Sequence, residues 1–493
     1  MQKWLDVAVS APAHSQVGGL LTYVTELPAS VGQLVRVPFG NREVLGVVWG
    51  VHTTAPQTLS THTLRQVIAV LEAVAPLSAH WLQLVQFTAH YYQRSLGEVA
   101  MAALPPQLRD LTPVQLARRF KKQVTPPETL DTALQSPWPL SEQQAEVLSQ
   151  MAEASGPFLL HGATGSGKTE VYLQAVARCL AEDPNAQALM MVPEINLTPQ
   201  LEERVKARFG DAGVVSMHSG MTGPQRLKSW LAAHQGSARI VLGTRMSIFA
   251  SMPHLKWIVV DEEHDASYKQ QEGARYSARD LAIYRARLEG AKVILGSATP
   301  SLESWHHSRP AAEGGRYVRL PMPARIGAGQ LPFVRRVDMN HQPRKTVLSA
   351  PLMAAIQERV AKGEQSMLLL NRRGYAPVLH CADCGWKSEC SHCSAFRVFH
   401  KIDRTLRCHH CGFTERVPRA CPACGNADIA PMGRGTEQLE ETLKELFPNT
   451  SIYRMDRDST KKVGSLENIL SEIKSSETGI LVGTQMLIKG HDF

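Results

Sequence analysis

The sequence predicts an α/β protein with two parallel-sheet lobes, the second incomplete, a small β-rich N-terminal domain, and an insertion within the second lobe. Three observations carry this. Short apolar runs at Phe158–Leu160, Ala188–Val192, Ile240–Leu242, Trp257–Val260 and Val293–Leu295 alternate with helix-length stretches, the pattern of a parallel sheet. A second set at Met367–Leu370, Ser451–Arg454 and Ile480–Val482 repeats it. Between the members of that second set lie eight of the nine cysteines, spaced as four CxxC pairs.

The elements follow in order. At 493 residues the chain is long enough for about three domains, each with its own core. Residues 1–105 mix β-rich segments, Gln33–Phe39 and Val44–Trp49, with a helical stretch over Ala79–Thr88, and read as a separate N-terminal domain. Residues 106–139 shift to Pro, Gln and charge, including Arg118-Arg-Phe-Lys-Lys122, and read as a linker. The first lobe takes residues 140–310, the second begins at 311–380, the cysteine insertion covers 381–424, and the second lobe resumes over 425–493. The formal charge of +8 and a pI near 9.0 favour a polyanionic partner. No apolar run approaches the roughly 18 residues a bilayer requires, so no membrane association is expected. Met1-Gln2-Lys3-Trp4-Leu5-Asp6 lacks the form of an export signal, which points to the cytoplasm.

Gly162, Ala163, Thr164, Gly165, Ser166, Gly167, Lys168 and Thr169 fit G-x4-G-K-[ST], directly after the strand-like Phe158-Leu-Leu-His161 and before a helix former, Glu170-Val-Tyr-Leu-Gln-Ala. In that context backbone N–H groups and a helix N-terminus cradle the phosphates of ATP, Lys168 reaches the β and γ phosphates, and Thr169 ligates Mg²⁺. Hydrolysis needs a second half to the site. Trp257-Ile-Val-Val-Asp261-Glu262-Glu263-His264 supplies carboxylates at the end of a buried strand, Asp261 for the Mg²⁺ shell and Glu262 to orient and deprotonate water.

With Gly296-Ser297-Ala298-Thr299-Pro300, these segments resemble, in order and spacing, motifs I to III of superfamily-two helicases. The resemblance implies two RecA-like motor lobes, with Ser297 and Thr299 linking the nucleotide site to strand movement. Pro193-Glu194-Ile195, Leu197-Thr198 and Gly243-Thr244-Arg245 resemble the segments that grip the DNA backbone, where a hydroxyl and an arginine suit phosphate. The segment from Asp261 to Asp280 narrows the likeness to the bacterial replication-restart helicases, whose aromatic-rich loop connects DNA occupancy to hydrolysis. On that likeness Tyr268 and Tyr276 stack on bases and Arg275 adds charge, while Ala274 stands where relatives carry Trp. Leu370–Tyr375, Gly433–Glu440, Asp456–Asp458 and Gly483–Gly490 extend the resemblance, and Gln144 matches a glutamine expected to read adenine.

The cysteine pairs are Cys381/Cys384, Cys390/Cys393, Cys408/Cys411 and Cys421/Cys424, with 5, 14 and 9 residues between them. Each pair offers two thiolates, and Zn²⁺ takes four, so eight make two closed structural sites. The 14-residue connector suits a ribbon hairpin, which favours an inner site of Cys390, Cys393, Cys408 and Cys411 and an outer one of Cys381, Cys384, Cys421 and Cys424. The family's nested arrangement implies the same. Metal loading lowers the formal charge of +8 to about +4.

In the N-terminal domain, Arg36-Val-Pro-Phe-Gly40 and Tyr91-Tyr92 through Pro105 resemble the family's module that captures a DNA 3′ end, with Gly40 and Arg65 lining its pocket. The family's Phe-Asp-Tyr element reads Leu21-Thr22-Tyr23, and residues 106–139 are too few for the winged-helix domain that relatives carry there. Together these readings imply a monomeric ATP-dependent 3′-to-5′ DNA helicase. It would recognise and remodel stalled or abandoned forks and reload the replicative helicase, with forked and single-stranded DNA, single-stranded DNA-binding protein and primosome loading proteins as partners. An alternative is a fragment that binds ATP, zinc and DNA but hydrolyses poorly, because the sequence ends at Phe493 within motif V, ahead of the arginine finger. Such a finger is worth about 10³ to 10⁵ in rate.

Overall fold

The computed structural model describes residues 2–11, 19–54, 64–123, 139–193, 199–211, 213–326, 332–342, 348–370, 378–381, 383–400, 404–408, 411–432, 436–455, 465–476, 478–484 and 487. They fall into two compact units, residues 1–330 and 331–493. Among the described residues no helix is long and apolar enough to cross a membrane.

The first unit opens with five strands, β1 (Lys3–Val9), β2 (Leu21–Thr25), β3 (Leu34–Phe39), β4 (Arg42–His52) and β5 (Ala69–Val70), in an antiparallel sheet of order β2-β1-β4-β3-β5. The apolar residues Leu5, Val7, Tyr23, Val35, Val37 and Val48 form its core. Two helices follow, α1 (Ala79–Tyr91) and α2 (Leu96–Ala103), each started by a serine, Ser78 and Ser95, whose hydroxyl accepts from a first-turn N–H.

Residues 106–139, expected as a linker, begin instead with a 3-10 turn over Pro106–Arg109 and a helix, α3 (Pro113–Gln123). Leu108 and Leu116 are buried, and the guanidinium of Arg36 in β3 donates to the carbonyls of Leu108 and Leu111 at 2.9 and 2.7 Å and to that of Arg109. A buried arginine donating to three carbonyls holds this stretch to the N-terminal sheet. Composition alone could not show that.

The rest of the unit is the first lobe: α4 (Glu142–Glu153), β6 (Phe158–Gly162), α5 (Lys168–Glu182), β7 (Gln187–Met191), α6 (Pro199–Phe209), β8 (Val214–Met217), α7 (Gly223–His234), β9 (Ile240–Gly243), β10 (Leu255–Val260), α8 (Ala278–Glu289), β11 (Lys292–Ser297), α9 (Leu302–His307) and β12 (Val318–Met322). All seven strands are parallel, in the order β12-β6-β11-β10-β7-β9-β8. The five expected strands are present. β8 is too short to read from sequence, and β12 lies past the boundary expected at residue 310, yet pairs with β6 from Val318↔Phe158 to Met322↔Gly162 and so belongs to this lobe. Because every strand points the same way, the loops after β6, β9, β10 and β11 converge on one edge of the sheet, where open α/β sheets carry their ligands.

The second unit has α10 (Ala350–Ala361) and β13 (Gln365–Leu369), then β14 (Val378–Cys381), β15 (Val398–His400), β16 (Thr405–Arg407), β17 (Thr414–Arg416) and β18 (Ile429–Met432), and closes with α11 (Thr436–Leu446), β19 (Ile452–Met455), α12 (Ser465–Ser475) and β20 (Gly479–Gly483). The strands β13-β20-β19 form a parallel sheet, the expected second lobe. β14 and β18 pair antiparallel at the root of the cysteine insertion, and β15-β16-β17 form a ribbon inside it.

Candidate functional site

Strand β6 ends in Gly162, and the chain turns through five residues into α5. Gly167 caps that helix at φ 79°, in the left-handed region where a side chain is strained; a Cβ there would also lie 2.4 Å from Ile326 Cδ1 and 2.5 Å from Gln144 Nε2. The Lys168 ammonium donates to the Gly162 carbonyl at 2.9 Å, across the mouth of the loop. Ser166 is buried and its hydroxyl has no partner, which suits a loop built to meet phosphate oxygens. A cavity of about 600 Å³ opens here, lined by Gln144, Lys168, Thr169, Asp261, Glu262 and Ile326 among others. These residues fit a nucleotide.

Gln144 lines that cavity, but both ends of its amide are engaged: Oε1 accepts from Ser141 N at 2.9 Å in a capping box that starts α4, and Nε2 donates to Gly167 O at 3.2 Å. In this arrangement it braces the phosphate loop while lining the cavity.

Asp261 follows β10, with β11 between it and β6. Its Oδ1 accepts from the Tyr172 hydroxyl at 3.1 Å and from Glu262 N at 3.0 Å. Tyr172 projects from α5 and reaches Asp261 across β11; Gly296 makes room, since a Cβ there would sit 1.5 Å from the Tyr172 oxygen. Burial, with Asp261 beside it, pushes the Tyr172 phenol well above its usual value, so it stays protonated and donates. Burial, and then the charge of Glu262, push the Asp261 carboxyl up to about 6. Glu262 takes a left-handed backbone, φ 46°, uncommon for a residue with a Cβ, which turns the chain sharply at the sheet edge.

The last two acids divide in role. Glu263 is 1% exposed and accepts from Ser301 N at 2.6 Å, Ser301 Oγ at 3.0 Å and Ser304 Oγ at 2.9 Å, with Arg279 at 3.4 Å, so it ties the end of β10 to the start of α9. His264 Nδ1 shares a hydrogen bond of 2.8 Å with Ser297 Oγ, which also accepts from Thr299 N at 2.9 Å. The Asp-Glu-Glu-His and Ser-Ala-Thr segments are thus joined directly.

The residues expected to meet DNA separate. Tyr268 is only 2% exposed and its hydroxyl bonds two carbonyls, so it presents no face to a base; the stacking expectation fails for it because the ring is core. Tyr276 is half-buried, edge-on to Phe249 at 5.0 Å between centroids. Arg275 is exposed, at φ 46°. Thr244 is 1% exposed with its hydroxyl buried and unpartnered, so it is not offered at the surface, whereas Arg245 reaches Gln270 Oε1 at 2.6 Å and Ser267 O at 3.0 Å. Thr299 is exposed and Ser297 buried. The segments 194–198, 371–375, 433–435, 456–458, 485–486 and 488–490 lie outside the described residues. In the N-terminal domain the structure brings Gly40 and Arg65 together: the Arg65 guanidinium donates to the Gly40 carbonyl at 2.5 Å.

In the insertion, Cys381, Cys384, Cys421 and Cys424 converge, as do Cys390, Cys393, Cys408 and Cys411, with sulfurs in each group within 4.8 Å of one another. The closest approaches are 3.5 to 3.6 Å. That is far beyond a disulfide of about 2.05 Å and near the roughly 3.8 Å edge of a tetrahedron of thiolates about 2.3 Å from Zn²⁺. The nested pairing read from the connectors is the one present. Cys179, on α5, is half-buried, and burial raises its thiol to about 11.

A phosphate loop beside an Asp-Glu-Glu-His strand end that bonds a Ser-Ala-Thr segment, on a parallel sheet, places the chain among ATP-hydrolysing DNA helicases. Residues 141–307 match the DEAD/DEAH box helicase family, residues 6–105 the 3′ DNA-binding domain of PriA, and residues 390–416 the Cys-rich region of PriA DNA helicase. The chain is 36% identical to the replication restart protein PriA of Haemophilus influenzae, over 95% of this chain and 72% of that protein. It is 41% identical to that of Bacillus subtilis, over 72% of this chain and 44% of that one, and 33% identical to that of Treponema pallidum, over 100% and 73%. The chain belongs to the PriA family of replication restart proteins.

Two outcomes follow from this geometry. The native Asp261 carboxyl holds its proton more tightly than in the unfolded chain, so without a cation stability falls as pH rises from about 4 through about 6, and the cost persists at neutral pH. Asp261→Asn therefore raises the stability of the nucleotide-free protein at pH 7, on the order of 1–2 kcal/mol after discounting for solvent at the open side of the cavity, read by thermal unfolding with and without Mg²⁺ and ATP. Removal of zinc by a chelator opens residues 381–424 to protease while the unfolding transition of residues 1–330 stays in place, because each metal closes only the insertion.

Proposed function

We propose that this chain is an ATP-dependent 3′-to-5′ DNA helicase that recognises and remodels stalled or abandoned replication forks and promotes primosome assembly and reloading of the replicative helicase. The observation that carries the motor reading is the 2.8 Å bond between His264 and Ser297, which ties the nucleotide site to the segment that the family uses for strand movement.

Lys168 binds the β and γ phosphates, leaving the Gly162 carbonyl on which it rests; the loop Gly162, Ala163, Thr164, Gly165, Ser166 and Gly167 supplies N–H groups, and the Ser166 hydroxyl gains the partner it lacks. Thr169 and Asp261 would hold Mg²⁺, which when bound neutralises charge building on the phosphates. Glu262, next to Asp261 but turned from it by the left-handed backbone, orients the attacking water and takes its proton. Gln144, which lines the cavity while holding Ser141 and Gly167, reads adenine. A rotation of Ser297 moves both His264 and Thr299, so hydrolysis and strand contact share one hydrogen-bonded unit.

Forked and single-stranded DNA are the substrates. Arg245, Arg275 and Tyr276 meet the strand, and Gly40 with Arg65 meets a 3′ end. Zinc is structural: four cysteines in each group fill the four positions that Zn²⁺ takes and leave none for a water ligand. Single-stranded DNA-binding protein and primosome loading proteins are the expected partners, of a cytoplasmic monomer. Lys168→Ala is expected to abolish DNA-stimulated ATP hydrolysis while leaving forked-DNA affinity within about twofold, measured by phosphate release and fluorescence anisotropy on one preparation. Wild-type hydrolysis by the variant would remove the nucleotide site from the phosphate loop.

A further inference from the structure

The chain leaves β12 along the phosphate loop. Ala163 N donates to the Met322 carbonyl at 3.1 Å, and four residues on, Ile326 N donates to the Gly165 carbonyl at 2.9 Å. Between these two bonds Ala324 N donates to Gln143 Oε1 at 3.2 Å. Gln143 and Gln144 are neighbours in the first turn of α4, so one glutamine holds the strap of residues 322–326 and the next holds the loop through the Gly167 carbonyl. The strap is thereby bonded to both elements that shape the nucleotide cavity.

The side chain that the strap carries has no covering to match. Ile326 is 57% exposed although its backbone is tied down, and it lines the cavity together with Pro139 and Gln144. Ile326 Cδ1 and Gln144 Nε2 both close on Gly167, which is why a Cβ there would strike the two of them. Lys168, Thr169 and Asp261 give the cavity polar groups suited to phosphate and a cation, whereas Ile326 and Pro139 give it apolar surface, with the Gln144 amide beside them. Apolar surface next to a single amide suits a flat heteroaromatic ring, whose faces gain by leaving water and whose hydrogen-bonding groups are confined to its edge. Sugar and phosphate have no such face.

We propose that Ile326 is a specificity-determining residue for the nucleotide, the apolar surface on which the face of the base packs while Gln144 meets its edge. The base then covers a side chain that is otherwise open to water, and the three backbone bonds of the strap hold that side chain in place before the nucleotide arrives. This rests on the reading of the phosphate loop as the nucleotide site given above.

The test compares the whole chain with Ile326→Ala and Ile326→Leu in calorimetric titration with ATP and with ribose 5-triphosphate, which keeps the sugar and phosphates and lacks the base, and in thermal unfolding. Ile326→Ala is expected to melt with the wild type, to bind ATP about fivefold more weakly, and to keep its affinity for ribose 5-triphosphate within about twofold. Ile326→Leu retains the apolar area and is expected to bind ATP within about twofold of the wild type. Parallel losses for both ligands in Ile326→Ala would reduce the side chain to packing and overturn the assignment. Wild-type ATP affinity in Ile326→Ala, or a loss in Ile326→Leu as large as that in Ile326→Ala, would overturn it as well. Failure of the underlying site reading looks different: Lys168→Ala would then bind ATP and ribose 5-triphosphate as the wild type does.

Discussion

A carboxylate placed at the end of a buried parallel strand has to be held by something other than water, and the first lobe is arranged around that need at Asp261. Tyr172 from α5 and the N–H of Glu262 hold its oxygen, while Tyr268 holds its carbonyl. Gly296 in β11 is small so that Tyr172 can cross the strand that separates the phosphate loop from the acid. Glu263, sealed among Ser301, Ser304 and Arg279, fixes the chain beyond. These groups leave the carboxylate charged against its burial, a cost that a bound cation offsets.

The N-terminal domain bears on the same region, because both belong to one compact unit. The Trp81 indole N–H donates to the Phe249 carbonyl at 2.9 Å, and His234, its neutral form favoured by burial, bridges Ser251 and the Ala75 carbonyl. Tyr92 accepts from Ser277 N at 3.0 Å, and Lys269 sits 4.9 Å above its ring. The domain that resembles a DNA-end receptor therefore grips the loop leading away from Asp261. Contacts of this kind make the two modules move as one body.

Much of this was legible in the sequence, and what was not has a physical reason. Apolar runs ending in a glycine-rich turn or in acids announced β6 and β10, and pairs of cysteines announced two metal sites down to their nesting, because those features are local. Tyr172 carries no signal in the sequence and Tyr268 reads there as a base-stacking ring, because an aromatic residue in a helix or loop reads as core or as surface, and only the fold shows which carbonyl or carboxylate its hydroxyl meets. Motif position reads Thr244 as a phosphate contact and Gln144 as an adenine reader; the Thr244 side chain is buried, and Gln144 is engaged in the capping box of α4. Residues 106–123 read as a linker from their Pro, Gln and charge content because what holds them, two buried leucines, Leu108 and Leu116, and the buried guanidinium of Arg36, shows only in the fold.

On the function proposed above, a divalent cation binds between the phosphate loop after β6 and Asp261 at the end of β10. Replacing Mg²⁺ by Fe²⁺ in the presence of ATP and peroxide cuts the backbone next to the metal, and the fragments can be sequenced. The account predicts nucleotide-dependent cleavage beside Thr169 and beside Asp261. Cleavage elsewhere in residues 1–330, or equal cleavage without nucleotide, would contradict it.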